Sequence, residues 1–323
     1  MNPDYVTFSK NVFIPVTNVC RNRCHYCGFR RDPDGAEAYL MTPDQVRTLL
    51  NKGASSNCTE ALFTFGEPSE LIHDALAGIG YLNLIEYVAD LCRMAIAHGL
   101  LPHTNAGVLS YDDFKALKPL NASMGLMLET IASVAAHKDS PSKSPRERLR
   151  VMEDAGRLRI PFTTGILVGI GETHEDRLNS LMAIRELHPR YGHIQEVIIQ
   201  PFVPKQNTPM FNCEPPSTGE MQETIALARR ILPPEVAIQV PPNLMSPNLS
   251  VPYGASDLGG ISPVTIDYIT PENEWPALET LGSCVRLRER LPVYPHFVLD
   301  KWYGAETEEL INKYADEDGF RKC

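Results

Sequence analysis

Long apolar stretches and clusters of basic residues are both missing from this sequence of 323 residues. No run approaches the roughly 18 apolar residues that cross a membrane, and residues 1–19 lack the basic start and continuous apolar segment of a secretory signal. The formal net charge is −10, without a Lys/Arg-rich segment, so nucleic acid is not an expected partner. We therefore expect a cytoplasmic protein that neither crosses a membrane nor binds nucleic acid.

Grouped cysteines are equally scarce, because only three of the eight lie close together. Cys20, Cys24 and Cys27 form a CxxxCxxC set that follows the apolar run 12–16. Thiolates are the ligands that iron–sulfur clusters take, and a cubane held by three of them keeps one iron open for chemistry. The set predicts a 4Fe-4S metal site. The remaining cysteines are scattered and are expected to be ordinary thiols: Cys58, Cys92, Cys213, Cys284 and Cys323.

A zinc site is the alternative interpretation of the same cysteines. His25 lies between them and could complete a Cys3His set. Structural zinc motifs normally use two separated pairs of ligands, and the sequence has no second CxxC and no HxxxH. A zinc-stabilised binding protein without turnover therefore stays open as the less favoured alternative.

Short apolar runs recur along the chain and alternate with amphipathic stretches. Their spacing of about 34 residues matches the repeat of a βαβ unit with a parallel crossover. This pattern predicts an α/β fold, a (β/α)8 TIM-type barrel, as a single domain over residues 1–323 with a core at about 9–265 and a C-terminal helical extension at about 266–323. The expected strands lie at 11–16, 61–65, 101–105, 123–129, 162–168, 194–200, 236–240 and near Val251.

Several helices are also expected between and after these strands. Apolar residues at helical spacing over 84–96 predict a helix that buries Cys92. Ser144-Pro145-Arg146-Glu147 and Thr173-x-x-Asp176 each read as a capping box that opens a helix. The segments 273–290 and 306–314 are expected to be helices outside the barrel. The cysteine set follows the first strand, so it should lie at the barrel mouth, where reactive residues gather.

The CxxxCxxC set, with the aromatic Tyr26 before its last cysteine, resembles the signature of the radical S-adenosylmethionine (SAM) superfamily. The resemblance implies a 4Fe-4S cluster and SAM as cofactors. After the second strand, Gly66-Glu67-Pro68 resembles the family's GGEP segment, with phenylalanine in place of its first glycine. That segment lines the amino group of the methionine moiety, so the resemblance makes Gly66 and Glu67 cofactor-binding candidates.

Three further positions match the same superfamily. Glu129 follows the fourth strand, where related enzymes place an acid on the ribose hydroxyls, and a carboxylate can accept from both. Arg148 matches the arginine that holds the SAM carboxylate, for which a guanidinium is suited. The segment 165–172 resembles GxIxGxxE, which lies against adenine and includes Gly169. It is not a dinucleotide fingerprint, because His174 stands where the third glycine should be.

Longer segments resemble the small subunit of the 7,8-didemethyl-8-hydroxy-5-deazariboflavin synthase family. They are 9–18, 28–30, 63–67, 259–265, 271–272 and 275–276. The resemblance implies a lyase of deazaflavin coenzyme biosynthesis that uses a 5'-deoxyadenosyl radical to cyclise a hydroxybenzyl-diaminouracil adduct with loss of ammonia. It also implies a companion radical SAM subunit that makes the adduct and an external electron donor. Asp257, Gln200 and His103 are strand-end polar residues that could touch the uracil or ribityl groups.

Two other enzymes share the predicted fold and cluster. The companion subunit, which uses tyrosine to build the adduct, would differ in its substrate. A biotin-synthase-like sulfur inserter would need an auxiliary cluster, and the scattered cysteines offer no second motif. Which residue, if any, moves protons is not evident from the sequence.

Overall fold

The computed structural model describes residues 5–67 and 69–322. Within them, eight parallel strands form the barrel: β1 Val6–Thr17, β2 Glu60–Phe65, β3 Leu101–Asn105, β4 Ser123–Gly125, β5 Phe162–Val168, β6 Ile194–Pro201, β7 Ala237–Gln239 and β8 Asp257–Ile261. Each strand pairs with the next, and β8 pairs with β1. The sheet therefore closes, and the predicted (β/α)8 fold is confirmed. The predictions for Pro68 and Cys323 lie outside the described residues.

The helices lie between and after the strands. They are α1 Pro43–Ser55, α2 His73–Gly78, α3 Leu84–Ala97, α4 Tyr111–Leu117, α5 Pro145–Arg157, α6 His174–Tyr191, α7 Thr218–Ile231, α8 Pro247–Ser250, α9 Leu278–Cys284, α10 Pro295–Leu299 and α11 Glu308–Tyr314. Cys92 is buried on α3, as predicted. No helix in the described part of the chain is long and apolar enough to span a membrane.

One of the two predicted capping boxes forms. Thr173 accepts from the Asp176 amide, and Asp176 accepts in return from the Thr173 amide. The box predicted at Ser144 was wrong, because its hydroxyl caps no amide of α5. Ser144 directly follows a 3-10 turn and has a ψ angle of 121°. Thr173 is more fully extended, with a ψ angle of 169°. The backbone of Ser144 therefore does not aim its side chain along the helix as Thr173 does.

Two strand predictions need correction. The eighth strand is not near Val251, which lies in a 3-10 turn, but at β8. Pro247 and Pro252 flank Val251 and have no amide hydrogen to donate to a β-ladder. The glycines of β8 have little intrinsic strand preference, so the sequence pattern does not indicate a strand there. The fourth strand ends at Gly125, and Glu129 keeps only an isolated bridge to Ile166.

The predicted helix 273–290 was also wrong. Only α9 forms there, and the segment Leu287–Glu289 is a ninth strand, β9, parallel to residues Val6–Phe8 of β1. Pro276 precedes the helix, and Val285 after it adopts extended φ and ψ angles of −145° and 153°. The chain can therefore add β9 beside the first residues of β1, along the edge of β1 that pairs with β2 further on. Helix 306–314 is confirmed as a 3-10 turn, Ala305–Thr307, followed by α11.

The strands present apolar side chains to the helices and many polar ones to the barrel lumen. On β1, Val12, Ile14 and Val16 are fully buried in the main apolar core with α1, whereas Asn11 and Phe13 line the lumen. This alternation follows from the two-residue period of a strand. It leaves a lumen that contains hydrogen-bonding groups.

A network of buried ion pairs and hydrogen bonds lies across the amino end of the barrel. Arg290, just after β9, donates to both carboxylate oxygens of Asp257 at 2.7 and 2.8 Å and to Glu196 at 3.2 Å. Tyr294 donates to the same Glu196 carboxylate at 2.7 Å. Burial raises the pKa of the nearby Glu60 carboxyl to about 7, although a hydrogen bond from Ser9 opposes the rise. In such barrels this end serves stability, and the opposite end carries the chemistry.

Candidate active site

One cavity at the carboxyl end of the barrel brings together most of the predicted site residues. All three cysteines of the CxxxCxxC set line it, together with Gly66, Glu67, Glu129 and Arg148. These residues come from the loops after β1, β2 and β4 and from α5. Gly169 is not among the lining residues, although Leu167 of the same segment is.

The three thiols are held by the loop 20–27 and by contacts from elsewhere. The amide of Glu67 donates to Sγ of Cys20 at 3.3 Å, and the hydroxyl of Ser140 donates to Sγ of Cys24 at 3.2 Å. Burial, followed by the neighbouring Cys24, raises the pKa of Cys27. The two hydrogen bonds hold the sulfurs of Cys20 and Cys24 in place, and the thiolate is the form of cysteine that binds metal.

The described residues show no ready-made ligand group for a single metal ion. Among residues 5–67 and 69–322, no three His, Cys, Asp or Glu side chains are close enough together to hold one metal ion. A tetrahedral zinc ion requires its ligands around one centre, whereas a cubane takes each thiolate at a different iron. The three thiols line one cavity, as three ligands of a cluster would.

Gly66 lets the end of β2 approach the cysteine loop. A Cβ at this position would lie 2.6 Å from Sγ of Cys20, closer than real side chains come. The next residue, Glu67, is buried and accepts from the amide of Val108 at 3.3 Å through Oε1. Its Oε2 lies 3.3 Å from the Arg21 guanidinium but is left without a hydrogen-bond partner. A buried carboxylate oxygen of this kind fits a positively charged donor such as an ammonium group.

Glu129 is held in an unusual backbone conformation. Its φ is +68°, and two backbone hydrogen bonds of 3.0 Å tie it to β5, one from its amide to Gly165 and one to its carbonyl from Leu167. Burial tends to raise the pKa of its carboxyl, but Lys143, which contacts it directly, and Arg148 outweigh burial and lower the pKa. Glu129 is therefore an ionised acceptor facing the cavity.

Arg148 is buried on α5, and its guanidinium is fixed by two carbonyls. Nε donates to Ser142 at 3.1 Å, and Nη1 donates to Met127. Nη2 lies 3.9 Å from Oε1 of Glu67, so the two predicted SAM-binding side chains are neighbours. This positioned cation suits a carboxylate ligand.

Gly169 begins a tight turn after β5 and does not contact the cavity. Its φ is +96°, which favours glycine. The carboxylate of Glu172 accepts from the amides of Gly169 and Ile170 at 2.9 and 2.8 Å and from Arg177 at 2.9 Å. The glutamate of the GxIxGxxE segment thus holds the turn that follows the cavity-lining Leu167.

The residues suggested for substrate contact separate into two places. His103 and Gln200 line a second cavity in the lumen, whereas Asp257 is fully buried at the amino end, bound to Arg290.

Two residues of the cavities were not predicted from the sequence. They are Lys143, which no motif marks, and Asn11, which also lines the lumen. Alternation of polar and apolar residues on β1 was the available signal for Asn11.

Comparisons with known proteins identify the family of this chain. The model of the radical SAM superfamily matches residues 14–184. The chain is 54% identical over 326 residues to a 7,8-didemethyl-8-hydroxy-5-deazariboflavin synthase of Methanococcoides burtonii, covering 99% of each chain. It is also 54% identical to the synthase of Methanosarcina barkeri, covering 98% of this chain and 99% of the other.

Among solved structures, methylornithine synthase (PylB) matches with a TM-score of 0.68 and 17% identity, over 87% of this chain and 81% of the other. At this identity the match supports the barrel fold alone. The near full-length identity to the synthases decides the family. The chain therefore belongs to the radical SAM superfamily and, within it, to the family of 7,8-didemethyl-8-hydroxy-5-deazariboflavin synthases.

Proposed function

We propose that this radical SAM enzyme cyclises 5-amino-5-(4-hydroxybenzyl)-6-(D-ribitylimino)-5,6-dihydrouracil to 7,8-didemethyl-8-hydroxy-5-deazariboflavin with release of ammonia, in deazaflavin coenzyme biosynthesis. The observation that carries the proposal is the 54% identity over 99% of both chains to a synthase named for this product. The site supports it, because a cysteine-lined cavity adjoins a second cavity in the lumen that is lined by polar side chains.

Membership of the superfamily implies a 4Fe-4S cluster and SAM. When bound, they supply a 5'-deoxyadenosyl radical that removes a hydrogen atom from the substrate. Cys20, Cys24 and Cys27 would hold the cluster and leave one iron open to SAM.

The side chains around the thiols fit the charged ends of SAM. Oε2 of Glu67, which is paired with Arg21 but accepts no hydrogen bond from the described residues, would accept from the ammonium group of the methionine moiety. Arg148 would hold the carboxylate, and the ionised Glu129 would accept from the ribose hydroxyls. Each assignment matches a group on SAM with a side chain of opposite charge or complementary hydrogen bonding.

Apolar side chains complete the same cavity. Phe65, Leu126, Leu167 and Phe202 are buried and line it. They would exclude water from a reactive radical and offer few competing polar groups around it. The substrate is a small molecule supplied by the companion tyrosine-using radical SAM subunit, and an external electron donor reduces the cluster.

The proposal is tested anaerobically with the reconstituted enzyme. Dithionite, SAM and the adduct are added, and 5'-deoxyadenosine and fluorescent deazaflavin are measured. Both products are expected, with about four irons per chain. A parallel reaction replaces the adduct with tyrosine and the diaminouracil.

The outcomes separate the alternatives. Deazaflavin from the adduct alone supports the cyclase. Adduct formation from tyrosine would assign the chain to the companion role instead. Bound zinc without iron, or an iron content near eight, would contradict the single-cluster site.

A further inference from the structure

A second cavity lies inside the barrel, directly below the cysteine-lined one. The two share the lining residues Thr64, Asn105, Gln200 and Ile269. Because these residues border both spaces, a ligand can extend from the cysteine-lined cavity into the lumen. The deeper part is lined by side chains with no role in the site described above.

Asn11 is the most informative of these side chains. It is 1% exposed on β1 and lines the lumen cavity. Neither its Nδ2 nor its Oδ1 has a hydrogen-bond partner among the described residues. The hydroxyl of Thr64, which borders both cavities, is likewise buried and without a partner. Buried polar atoms are rarely left unpaired, so a ligand is the natural partner for them.

The strand next to Asn11 leaves room for its amide. A Cβ on Gly260 would lie 2.2 Å from Nδ2 of Asn11, and a Cβ on Gly259 would lie 2.1 Å from Nε2 of Gln239. Gln239 also lines the lumen. The two adjacent glycines of β8 therefore make space for the two carboxamide side chains.

The lumen suits an uncharged ligand. Its guanidinium, Arg290, is already paired with Asp257 and Glu196. His103 donates from Nδ1 to Ser123 at 2.7 Å, since the Ser123 hydroxyl itself donates to the Pro292 carbonyl. This leaves Nε2 of His103 as an acceptor. The carboxyls of Glu60 and Asp267 also line this cavity, and neither forms an ion pair within the described part of the chain. Neutral donors and acceptors next to these acidic groups favour a polar heterocycle over a phosphate or another anion.

We propose that Asn11 binds the imide edge of the pyrimidinedione ring, with its Oδ1 accepting from the ring N3–H and its Nδ2 donating to an adjacent ring carbonyl. A carboxamide offers the donor and acceptor side by side, which matches an imide edge in two parallel hydrogen bonds. This inference rests on the proposed function. It places the heterocycle deep in the lumen and the hydroxybenzyl group toward the cysteine-lined cavity.

The test measures binding of the fluorescent product, 7,8-didemethyl-8-hydroxy-5-deazariboflavin, to the reconstituted enzyme. The product keeps the imide edge, and its N3-methyl derivative lacks the N3–H donor. Both are titrated against the wild type, Asn11→Ala, Asn11→Leu and Gly260→Ala. Gln222→Ala on the outer helix α7 is the control for loss of an amide away from the lumen.

We expect Asn11→Ala and Gly260→Ala to weaken product binding roughly 10- to 100-fold, as for two lost hydrogen bonds. N3-methylation should weaken binding to the wild type but have little further effect on Asn11→Ala. Asn11→Leu should lose binding and yet unfold at the same or a higher temperature, because it removes two unpaired buried atoms. A merely structural asparagine would not give this combination.

Two results would overturn the inference. If the wild type converts the adduct but Asn11→Ala binds the product as tightly, the inference fails and the proposed function stands. The inference also fails if N3-methylation weakens both proteins equally, because Asn11 then contacts another part of the ligand, such as the ribityl chain. If the wild type neither converts the adduct nor binds the product, both the function and the inference are overturned.

Discussion

The backbone amide of Glu67 donates a hydrogen bond to Sγ of Cys20, at 3.3 Å, and thereby joins the end of β2 to the cysteine loop. The contact is possible because Gly66 precedes it: a Cβ there would lie 2.6 Å from the same sulfur. The first cysteine and the Gly-Glu segment, which are far apart in the sequence, therefore form one unit.

Replacing Gly66 by alanine should disturb this unit while leaving the barrel folded. The new methyl group would push Cys20 away from the cavity, so we expect iron content to fall by about half or more, because a cluster with a displaced ligand is readily lost. Iron analysis and the visible absorption of the reconstituted protein measure the effect. Gly78→Ala is the matched control, since nothing lies within 4 Å of a Cβ at that helical position. A full cluster in Gly66→Ala would show that the close approach is unimportant.

Glu129→Gln tests the proposed ribose contact. The substitution keeps the shape of the side chain but removes the charge that Lys143 and Arg148 favour. We expect SAM to bind about tenfold more weakly, as for one charge-assisted hydrogen bond. Equilibrium dialysis with the reconstituted protein provides the measurement, and Glu147→Gln, which is exposed on α5, is the control. Unchanged SAM affinity would remove Glu129 from the cofactor site.

Glu172→Ala tests the turn that ends β5. Its carboxylate accepts from two amides and from Arg177. The substitution leaves the two turn donors without an acceptor and leaves the buried Arg177 with Glu220, at 3.4 Å, as its remaining carboxylate. We expect the free energy of unfolding to fall by about 3 kcal/mol. Urea denaturation measures the loss against Glu175→Ala, an exposed acid in the first turn of α6. A loss as small as that of the control would contradict the role assigned to Glu172.

Glu60 should make stability depend on pH. Burial raises the pKa of its carboxyl from 4.5 to about 7 in the folded protein, so the folded state binds a proton more tightly than the unfolded state. The stability associated with that proton is present below about pH 4.5 and is lost as the pH rises through about 7. The difference between those two pKa values corresponds to about 3 kcal/mol.

Glu60→Gln should therefore stabilise the protein by up to about 3 kcal/mol at pH 8 and have little effect near pH 5. Gln can still accept the hydrogen bond from Ser9. Unfolding free energies measured between pH 5 and pH 8 provide the check, with the exposed Glu70→Gln as control. Parallel pH profiles for Glu60→Gln and the wild type would rule out this carboxyl as the source.

The barrel and the place of the cysteine loop could be predicted from the sequence because both depend on local patterns. Buried strands are continuous apolar runs, and three clustered cysteines stand out in a chain with few others. Strand β8 was missed for the opposite reason, since Gly259 and Gly260 carry no strand signal and acquire their role only by packing against Gln239 and Asn11.

Contacts between distant segments were the other part that could not be predicted. Nothing near Lys143 in the sequence indicates that it reaches Glu129, and nothing near Arg290 indicates that it lies under the barrel beside Glu196. Such pairs depend on how the closed sheet brings strand ends together. The family motifs supplied Glu129 and Arg148 as candidates, but their shared cavity required the structure.

The pairing of β9 with the first residues of β1 has a consequence for the order of folding. Residues Val6–Phe8 are made long before their partners Leu287–Glu289. Contacts of such long sequence separation form slowly, and a domain that depends on them exposes apolar surface until they have formed. The amino end of the barrel therefore remains open until Arg290 has left the ribosome and reached Asp257, which makes closure of this end a late step of folding.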